Sequence, residues 1–393
     1  MTRALHLVES ELLSRISAVL ENVPEVYLVG GAVRDSLLGK PVHDLDFVLN
    51  GDVRTIARRV ADSLNAAFYM LDEQRSTARV IFHRRPQAPV IIDFATLRAP
   101  DLDGDLRARD FTINAMAHSL GGGGQLIDPL GGVADLRAKT LRACSASTFE
   151  DDPVRILRGV RLGLDLQFQI PSQTSQAMRS AVPELQRISP ERLRDELFRM
   201  LAGARPAVAI RLLDRLGVIA ILLPELGRLK QVQQPSPHQM DVWQHTLATV
   251  GALEKLFEIA RGSFDDDAVV SPYLGMAATY LARFRNHFSH EYAVALNPHR
   301  SARSLLCMAA LYHHVGKPAA MSADDSGTIH YYNYESIGAE LALARAQSLA
   351  LSQVEALRIA SIIRSHTRVH SMLEAGDKAS RRAIYRFFRD SGA

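Results

Sequence analysis

The spacing of apolar residues changes once along the chain, near residue 134. Before that point, short apolar or alternating runs are interspersed with stretches of helical periodicity, a pattern typical of a sheet covered by helices. Helices are predicted over 1–23 and 53–66. Strands are predicted at 26–31, 43–49, 66–71, 78–84 and 90–96. Tetraglycine at 121–124 predicts a tight turn joining two paired segments.

After residue 134, apolar residues recur at helical spacing and almost no strand signal appears. Helices are predicted over 150–164, 172–182, 190–203 and 206–217. Polar stretches predict connections at 230–241, 264–272 and 322–328. The predicted fold class is therefore α+β, with a small mixed-sheet head followed by an all-helical neck and body.

Three regions are predicted along the chain: a head over 1–140, a neck over 141–230 and a body over 231–393. The last residues are predicted to form an amphipathic helix that ends abruptly, and truncation at the C terminus is one interpretation of this ending. The sequence contains no signal for an oligomeric state.

Composition narrows the class of protein. Of 393 residues, 47% are hydrophobic and 23% charged, as in a globular protein of two or more domains. The two cysteines, Cys144 and Cys307, exclude a disulfide framework and a CxxC metal site. No signal peptide or membrane span is predicted, so we expect a cytoplasmic protein without a membrane partner. Arginines cluster at 155–161 and 187–199, which suits phosphate contacts or a solvated helix face.

Two acidic residues in the predicted strand 43–49 are candidates for metal binding. Asp44 and Asp46 are separated by one residue, so their side chains share one face of the strand. Paired carboxylates completed by substrate phosphates are typical ligands of Mg²⁺. Two such ions can activate a hydroxyl and stabilise a leaving pyrophosphate. A solvent-facing acidic strand end is the alternative interpretation.

Residues around this pair strengthen the metal interpretation. Gly30 and Gly31 lie between a strand and a helix start, where backbone N–H groups can approach a triphosphate. Arg34 lies in the first turns of that helix, within reach of a phosphate. Asp93, on a neighbouring predicted strand, is either a third carboxylate or a loop-capping residue.

Five motifs follow in order along the chain. They are LVGGAVRDSLLGKPVHDLDFVL (28–49), RARDFTINAMA (107–117), DPLGGVADLRAKTLR (128–142), FEDDPVRILRGVRLG (149–163) and SPERLRDELFRML (189–201). Together they resemble the class II tRNA nucleotidyltransferase and poly(A) polymerase family, within the DNA polymerase beta-like nucleotidyltransferase superfamily. The resemblance implies a transferase that adds nucleotides to RNA 3′ ends and releases pyrophosphate.

The resemblance also implies roles for individual residues. Asp44 and Asp46 would hold two Mg²⁺ ions, with Asp93 as a further catalytic carboxylate. The nucleotide would be bound by residues of the first, second and fourth motifs: Gly30, Gly31, Arg34, Arg109, Asp110, Asn114, Asp152, Arg155, Arg158 and Arg161. Among these, Asp152 and Arg155 would serve with Asp151 as a protein template for the base. Asp151 departs mildly from the family, which usually has Glu there. Salt bridging to Asp152 or Glu196 is the alternative role for Arg158 and Arg161.

The product is indicated by a short segment. Only residues 99–106 separate VIIDFATLR (90–98) from the second motif, where family members that build a complete CCA end carry a longer loop. CC addition to tRNA from CTP is therefore favoured slightly over full CCA addition from CTP and ATP. A-addition and poly(A) synthesis are alternatives. The expected partners are the tRNA 3′ end and its acceptor stem.

The body resembles an HD metal-phosphohydrolase domain that has lost part of its site. His245, His313 and His366 fit ligand positions, whereas His314 stands where an Asp belongs and Tyr334 where a His is common. We expect an HD-like fold with a weakened or absent metal site. A mononuclear site of His245, His313 and His314 is the alternative. The rival functions are an HD-type hydrolase and a non-catalytic RNA-binding protein.

Overall fold

The computed structural model describes residues 10–42, 44–83, 89–120, 124–233, 240–262, 272–297, 300–369, 372 and 380–391. The chain forms two compact units. The first comprises Met1–Arg155 and Leu166–Ala177, and the second comprises Ile156–Asp165 and Met178–Ala393. Among the described residues, no helix has both the length and the apolar character needed to cross a membrane.

A seven-stranded mixed sheet forms the centre of the first unit. Its strands are β1 (Val26–Val29), β2 (Asp44–Leu49), β3 (Ala67–Asp72), β4 (Thr77–Phe82), β5 (Val90–Thr96), β6 (Ala117–Ser119) and β7 (Leu126–Ile127). The order across the sheet is β3-β4-β5-β2-β1-β6-β7. Only β2 and β5 pair in parallel, and the other neighbours are antiparallel. Phe47 and Phe94 stack between these parallel strands, with ring centroids 5.1 Å apart, inside the core.

Along the chain, the helices of the first unit lie before, between and after these strands. They are α1 (Ser10–Leu20), α2 (Gly31–Leu37), α3 (Val53–Leu64), α4 (Leu102–Arg107), α5 (Gly132–Arg137) and α6 (Thr148–Asp151). A short 3-10 helix spans Thr112–Asn114. Asp52 caps α3 by accepting a hydrogen bond from the Thr55 N–H, 3.2 Å away, as expected for a helix N-cap. Two further helices, α7 (Arg155–Leu166) and α8 (Ser172–Ala181), contribute residues to both units.

The second unit is mainly helical. Its helices are α9 (Pro190–Ala202), α10 (Pro206–Leu216), α11 (Val218–Leu222), α12 (Pro224–Gly227), α13 (Val242–Arg261), α14 (Pro272–Ala282), α15 (Arg285–Ala293), α16 (Ala302–Tyr312), α17 (Lys317–Ala320), α18 (Tyr334–Ser348), α19 (Gln353–Ser365) and α20 (Arg381–Ser391). Two 3-10 helices span Val182–Arg187 and Arg228–Gln231. Two hairpins add β8 (Ala295–Asn297) with β9 (Arg300–Ser301), and β10 (Met321–Ala323) with β11 (Ile329–Tyr331).

The predicted α+β class is confirmed, with a mixed-sheet head and a mostly helical remainder. The two hairpins are an addition to the all-helical body, since strands of two or three residues are too short to show an alternating pattern. One predicted helix, 150–164, is divided in two: α6 ends at Asp151 and α7 begins at Arg155. Asp152 between them is extended (φ −148°, ψ 92°), because a residue that precedes proline avoids the helical region.

Some predictions concern residues outside the described ranges. These are the first nine residues of the predicted N-terminal helix, most of the tetraglycine, and parts of the connections at 230–241 and 264–272. The pairing that the tetraglycine predicted is nevertheless present, because β6 and β7 are antiparallel neighbours.

Candidate functional site

The two candidate metal ligands lie on β2, in the middle of the sheet. Asp44 and Asp46 are both exposed, while Leu45 between them is buried, so the strand's alternation directs both carboxylates to the solvent-facing side. Asp46 is in register with Val29 of β1 and with Asp93 of β5. The strand order therefore brings Asp46 and Asp93 side by side.

Gly30 brings the chain close to this carboxylate. Its φ of +73° lies in the left-handed region that glycine adopts without strain. A Cβ atom at this position would lie 3.4 Å from Arg109 Nη1 and 3.7 Å from Asp46 Oδ2. The guanidinium of Arg109 and the carboxylate of Asp46 thus both lie beside buried Gly30, where a side chain would be in van der Waals contact with each of them.

Arg109 is held in place by a buried acid. Its Nε and Nη2 donate to Asp105 Oδ2 over 3.0 and 2.9 Å, and the Asp105 side chain is fully buried. The other oxygen of Asp105 accepts from the Arg98 N–H at 3.0 Å. Asp101 caps α4 through the Gly104 N–H at 2.8 Å. The short segment 99–106 is therefore a capped helix that orients Arg109.

Arg34, Asn114 and Asp110 form one hydrogen-bonded chain. Arg34 donates to both oxygens of Asp35 at 2.8 Å, and its Nη1 donates to Asn114 Oδ1 at 2.6 Å. Asn114 donates in turn to Asp110 Oδ1 at 3.0 Å, and that oxygen also accepts from the Phe111 N–H at 2.8 Å. These bonds connect α2 to the segment carrying Arg109. A phosphate would be an additional partner for Arg34 here.

Arg155 joins the start of α7 to the same segment. Its Nη2 donates to the carbonyl of Ala108 at 2.9 Å, and its Nη1 donates to the carbonyls of Arg109 (3.4 Å) and Thr148 (3.3 Å). Asp152 Oδ2 lies 3.9 Å from its Nε. Two predicted base-selecting residues are thus adjacent to each other and to the backbone of Arg109.

The remaining predicted residues have other immediate partners. Both oxygens of Asp93 accept from Arg79, at 2.7 and 2.8 Å, and this bonding outweighs burial to raise the pKa of the guanidinium. Asp151 is exposed and accepts from the Ser147 hydroxyl at 3.0 Å.

Arg158 and Arg161 lie in the second compact unit rather than with this group. Arg158 is exposed on α7, and Arg161 pairs with Glu196 at 2.7 Å and with Asp165 at 3.4 Å. The ion pair that the sequence offered as an alternative role is therefore present for Arg161.

Two residues of this site were missed in the sequence. Asp105 forms an ion pair with Arg109. The i,i+4 spacing of the two residues was a signal from which this pair could have been predicted. Arg98 directly follows the strand region of β5, and burial together with repulsion from Arg109 and Arg155 lowers its pKa. Three guanidiniums therefore share one neighbourhood, which suits a ligand with several negative charges.

A separate group of histidines lies in the second unit. His245 is on α13, and His313 and His314 immediately follow α16. Their candidate donor atoms all lie within 4.8 Å of one another. The ring of His366 lies 5.3 Å from His313, and its Nε2 is 3.3 Å from the Tyr334 hydroxyl. The five residues singled out in the body are therefore neighbours.

Two family models match the chain. Residues 26–142 match the poly A polymerase head domain, and residues 167–229 match the probable RNA and SrmB-binding site of polymerase A. The A-adding tRNA nucleotidyltransferase of Deinococcus radiodurans is 33% identical over 92% of this chain and 73% of its own length. The CC-adding enzyme of Geobacter sulfurreducens is 43% identical over 44% of this chain, which spans 40% of that protein.

Solved structures share the fold. A tRNA-processing enzyme in an apo form superposes with a TM-score of 0.65 at 23% identity, covering 96% of this chain and 83% of that one. The Thermotoga maritima CCA-adding enzyme complexed with tRNA gives 0.59 at 24% identity, covering 98% and 82%.

Proposed function

The chain belongs to the class II tRNA nucleotidyltransferase and poly(A) polymerase family, and its relatives named above are tRNA nucleotidyltransferases, so we propose that it extends the 3′ end of tRNA. The observation that carries this proposal is the exposed pair Asp44 and Asp46, with Arg109 and Gly30 beside Asp46. The tRNA 3′-hydroxyl would attack the α-phosphorus of CTP or ATP. A phosphodiester forms, the bond to pyrophosphate breaks, and the hydroxyl proton is released.

The family is metal-dependent, and the residues present fit Mg²⁺. Two exposed carboxylates on one strand face, with Cα atoms about 7 Å apart, leave coordination positions for phosphate oxygens, as Mg²⁺ requires. We assign two ions to Asp44 and Asp46. When bound, they would favour the ionised attacking oxygen and neutralise the leaving pyrophosphate.

The protein's own contribution is positioning and positive charge. Arg109, fixed by buried Asp105, would bind the phosphates above Gly30, and Arg98 lies near enough to add charge. The chain from Arg34 through Asn114 and Asp110 would keep this segment rigid. A rigid segment holds the α-phosphorus in line with the attacking oxygen.

Base choice is assigned to Asp152 and Arg155. An Asp can accept a hydrogen bond from the amino group that cytosine and adenine share, while an Arg donates to ring acceptors. Uracil has no such amino group, so UTP would leave the carboxylate without its donor. The bonds from Arg155 to the carbonyls of Ala108 and Arg109 would link base selection to the phosphate site.

For the product we propose addition of C residues up to CC. Five residues separate β5 from capped helix α4, which leaves no long loop between that strand and the segment carrying Arg109. The second candidate is addition of the terminal A, favoured because the relative aligned over 92% of this chain is an A-adding enzyme.

The test uses three tRNA transcripts, ending at the discriminator base, at C and at CC. Each is incubated with Mg²⁺ and one labelled nucleoside triphosphate at a time, and products are resolved by length. Two C residues on the first transcript, with no A on the third, are the expected result. A added only to the CC-ended transcript would establish the second candidate. No extension of any transcript by any nucleotide would refute the proposed function.

A further inference from the structure

The histidine group in the second unit has the arrangement of a metal site. His245 comes from α13, whereas His313 and His314 come from the turn after α16, so two separate segments converge. Ring centroids lie 5.0 Å (His245 to His314), 5.5 Å (His245 to His313) and 3.8 Å (His313 to His314) apart. Donor atoms within 4.8 Å of one another can reach a single ion.

Hydrogen bonds orient two of the rings for ligation. His313 Nδ1 lies 2.6 Å from the carbonyl of Ala310, so Nδ1 carries the proton and Nε2 keeps its lone pair. His366 has the same arrangement with the carbonyl of Ile363 at 2.6 Å. A backbone acceptor on the second ring nitrogen is the usual support of a metal-bound histidine.

One ring nitrogen of His314, Nδ1, is buried without a hydrogen-bond partner among the described residues. Buried polar atoms almost always have one, so an unsatisfied nitrogen beside two other imidazoles indicates a ligand.

We propose that His245, His313 and His314 bind one transition-metal ion of the Zn²⁺ class, with His366 beside the fourth position. Three nitrogen donors suit Zn²⁺, Co²⁺ or Ni²⁺ and not Mg²⁺, which prefers oxygen. The group contains no carboxylate that could bridge two metals, so the site takes a single ion. The head and the body would therefore bind different metals, and the body would hold the mononuclear site that the sequence left as the alternative.

The test is a titration of the chelator-treated full chain with Co²⁺, whose tetrahedral complexes absorb visible light. We expect one Co²⁺ per chain, displacement by Zn²⁺, and no displacement by excess Mg²⁺. His314→Ala and His245→Gln should each weaken binding by about 100-fold, comparable to the largest losses seen when the support of a metal ligand is removed. His290→Ala, on the exposed face of α15, should bind as the parent does.

Three results would overturn the proposal. They are no stoichiometric Co²⁺ binding by the parent chain, full displacement by Mg²⁺, or equal binding by the parent and a folded His245→Gln variant. Circular dichroism of each variant establishes folding, and His245 is the more exposed ligand, so its replacement disturbs packing less. Nucleotide addition in Mg²⁺ is measured in parallel and should be unchanged in His245→Gln, which separates this proposal from the function of the head.

Discussion

At the residue scale, Asp46 is the candidate metal ligand with the closest neighbours in the site. It lies on the central strand, in register with Asp93 and next to the backbone of Gly30. Asp46→Asn keeps the shape and removes the charge, so we expect addition to slow by at least about 1,000-fold, equivalent to about 4 kcal/mol of transition-state stabilisation. Single-turnover extension of a labelled transcript measures this. Asp103→Asn, an exposed acid in the same unit, is the control, and equal rates for both variants would rule out the metal role.

Asp152 has a separable role in base choice. Asp152→Ala should relax selection of CTP over UTP before it destroys catalysis, because the carboxylate would bind only the base. A bidentate base contact contributes about 1–3 kcal/mol of discrimination, so we expect the preference to fall roughly 5- to 150-fold. Competition between the two triphosphates gives the ratio of kcat/KM. An unchanged ratio alongside slowed addition would refute the template assignment. Asp165→Ala, near the end of α7, is the control variant.

At the element scale, α4 and the two residues after it contain two Asp–Arg pairs with identical spacing and different burial. Asp105 and Arg109 are 0% and 12% exposed, whereas Asp103 and Arg107 are each 53% exposed. Asp105→Asn leaves a buried guanidinium without its counter-charge and should lower the free energy of unfolding by roughly 3–5 kcal/mol. Asp103→Asn should cost less than about 1 kcal/mol. Urea unfolding of both variants measures the difference, and equal losses would contradict the buried role.

Elements with strong periodicity could be predicted from the sequence, and those set by tertiary contacts could not. The strands containing Asp44, Asp46 and Asp93 were predicted from short apolar or alternating runs of residues. The structure shows in addition that β2 and β5 are parallel neighbours. Sequence spacing could not show that Arg34 donates to Asn114, or that Arg79 donates to both oxygens of Asp93, since partners 80 and 14 residues apart are brought together only by the fold. The hairpins of the body were too short to show a pattern.

The start of α19 has a built-in acid sensitivity. Ser352 and Glu355 form a capping box, and Glu355 is buried and accepts from Arg300 at 2.6 Å. Burial alone would raise its pKa from 4.5, but the hydrogen bonds from Arg300 and Ser352 outweigh burial and lower the pKa to about 2. The ionised carboxylate therefore stabilises the fold above pH 4.5, and this contribution is lost as the pH falls towards 2.

Glu355→Gln tests this contribution. The melting temperatures of parent and variant should differ most near pH 6 and converge as the pH falls from 4.5 towards 2, because the unfolded parent is protonated first and the folded parent loses its charge near pH 2. Scanning calorimetry between pH 6 and the lowest pH at which both refold gives the two curves. A constant difference across this range would mean that Glu355 acts through shape alone.

At the scale of the whole molecule, the two compact units carry different chemistry. The first contains the carboxylates of Asp44 and Asp46 and a group of arginines, and the second contains a group of imidazoles in a largely helical setting. The family resemblance came from five short motifs that all lie before residue 202, so the sequence was most informative about the first unit. In the second unit, the convergence of His245 with His313 and His314 depends on how helices pack, which spacing along the chain does not specify.

Binding of the acceptor should be governed by phosphate contacts and by the shape of double-stranded RNA. Arginine guanidiniums that contact phosphates release counterions, so the logarithm of the affinity should fall linearly with the logarithm of salt concentration. For about four contacts on a duplex, raising salt from 50 to 200 mM would weaken binding roughly 100-fold. Filter binding of an acceptor-stem hairpin across this range measures the slope.

A DNA hairpin of the same sequence is the control: it keeps the phosphates but lacks the 2′-hydroxyls and the A-form groove, so it should bind more weakly at every salt concentration. An affinity that does not change with salt concentration would exclude binding dominated by phosphate contacts. Equal affinity for the RNA and DNA hairpins would mean that the protein recognises the phosphate charge but not the geometry of RNA.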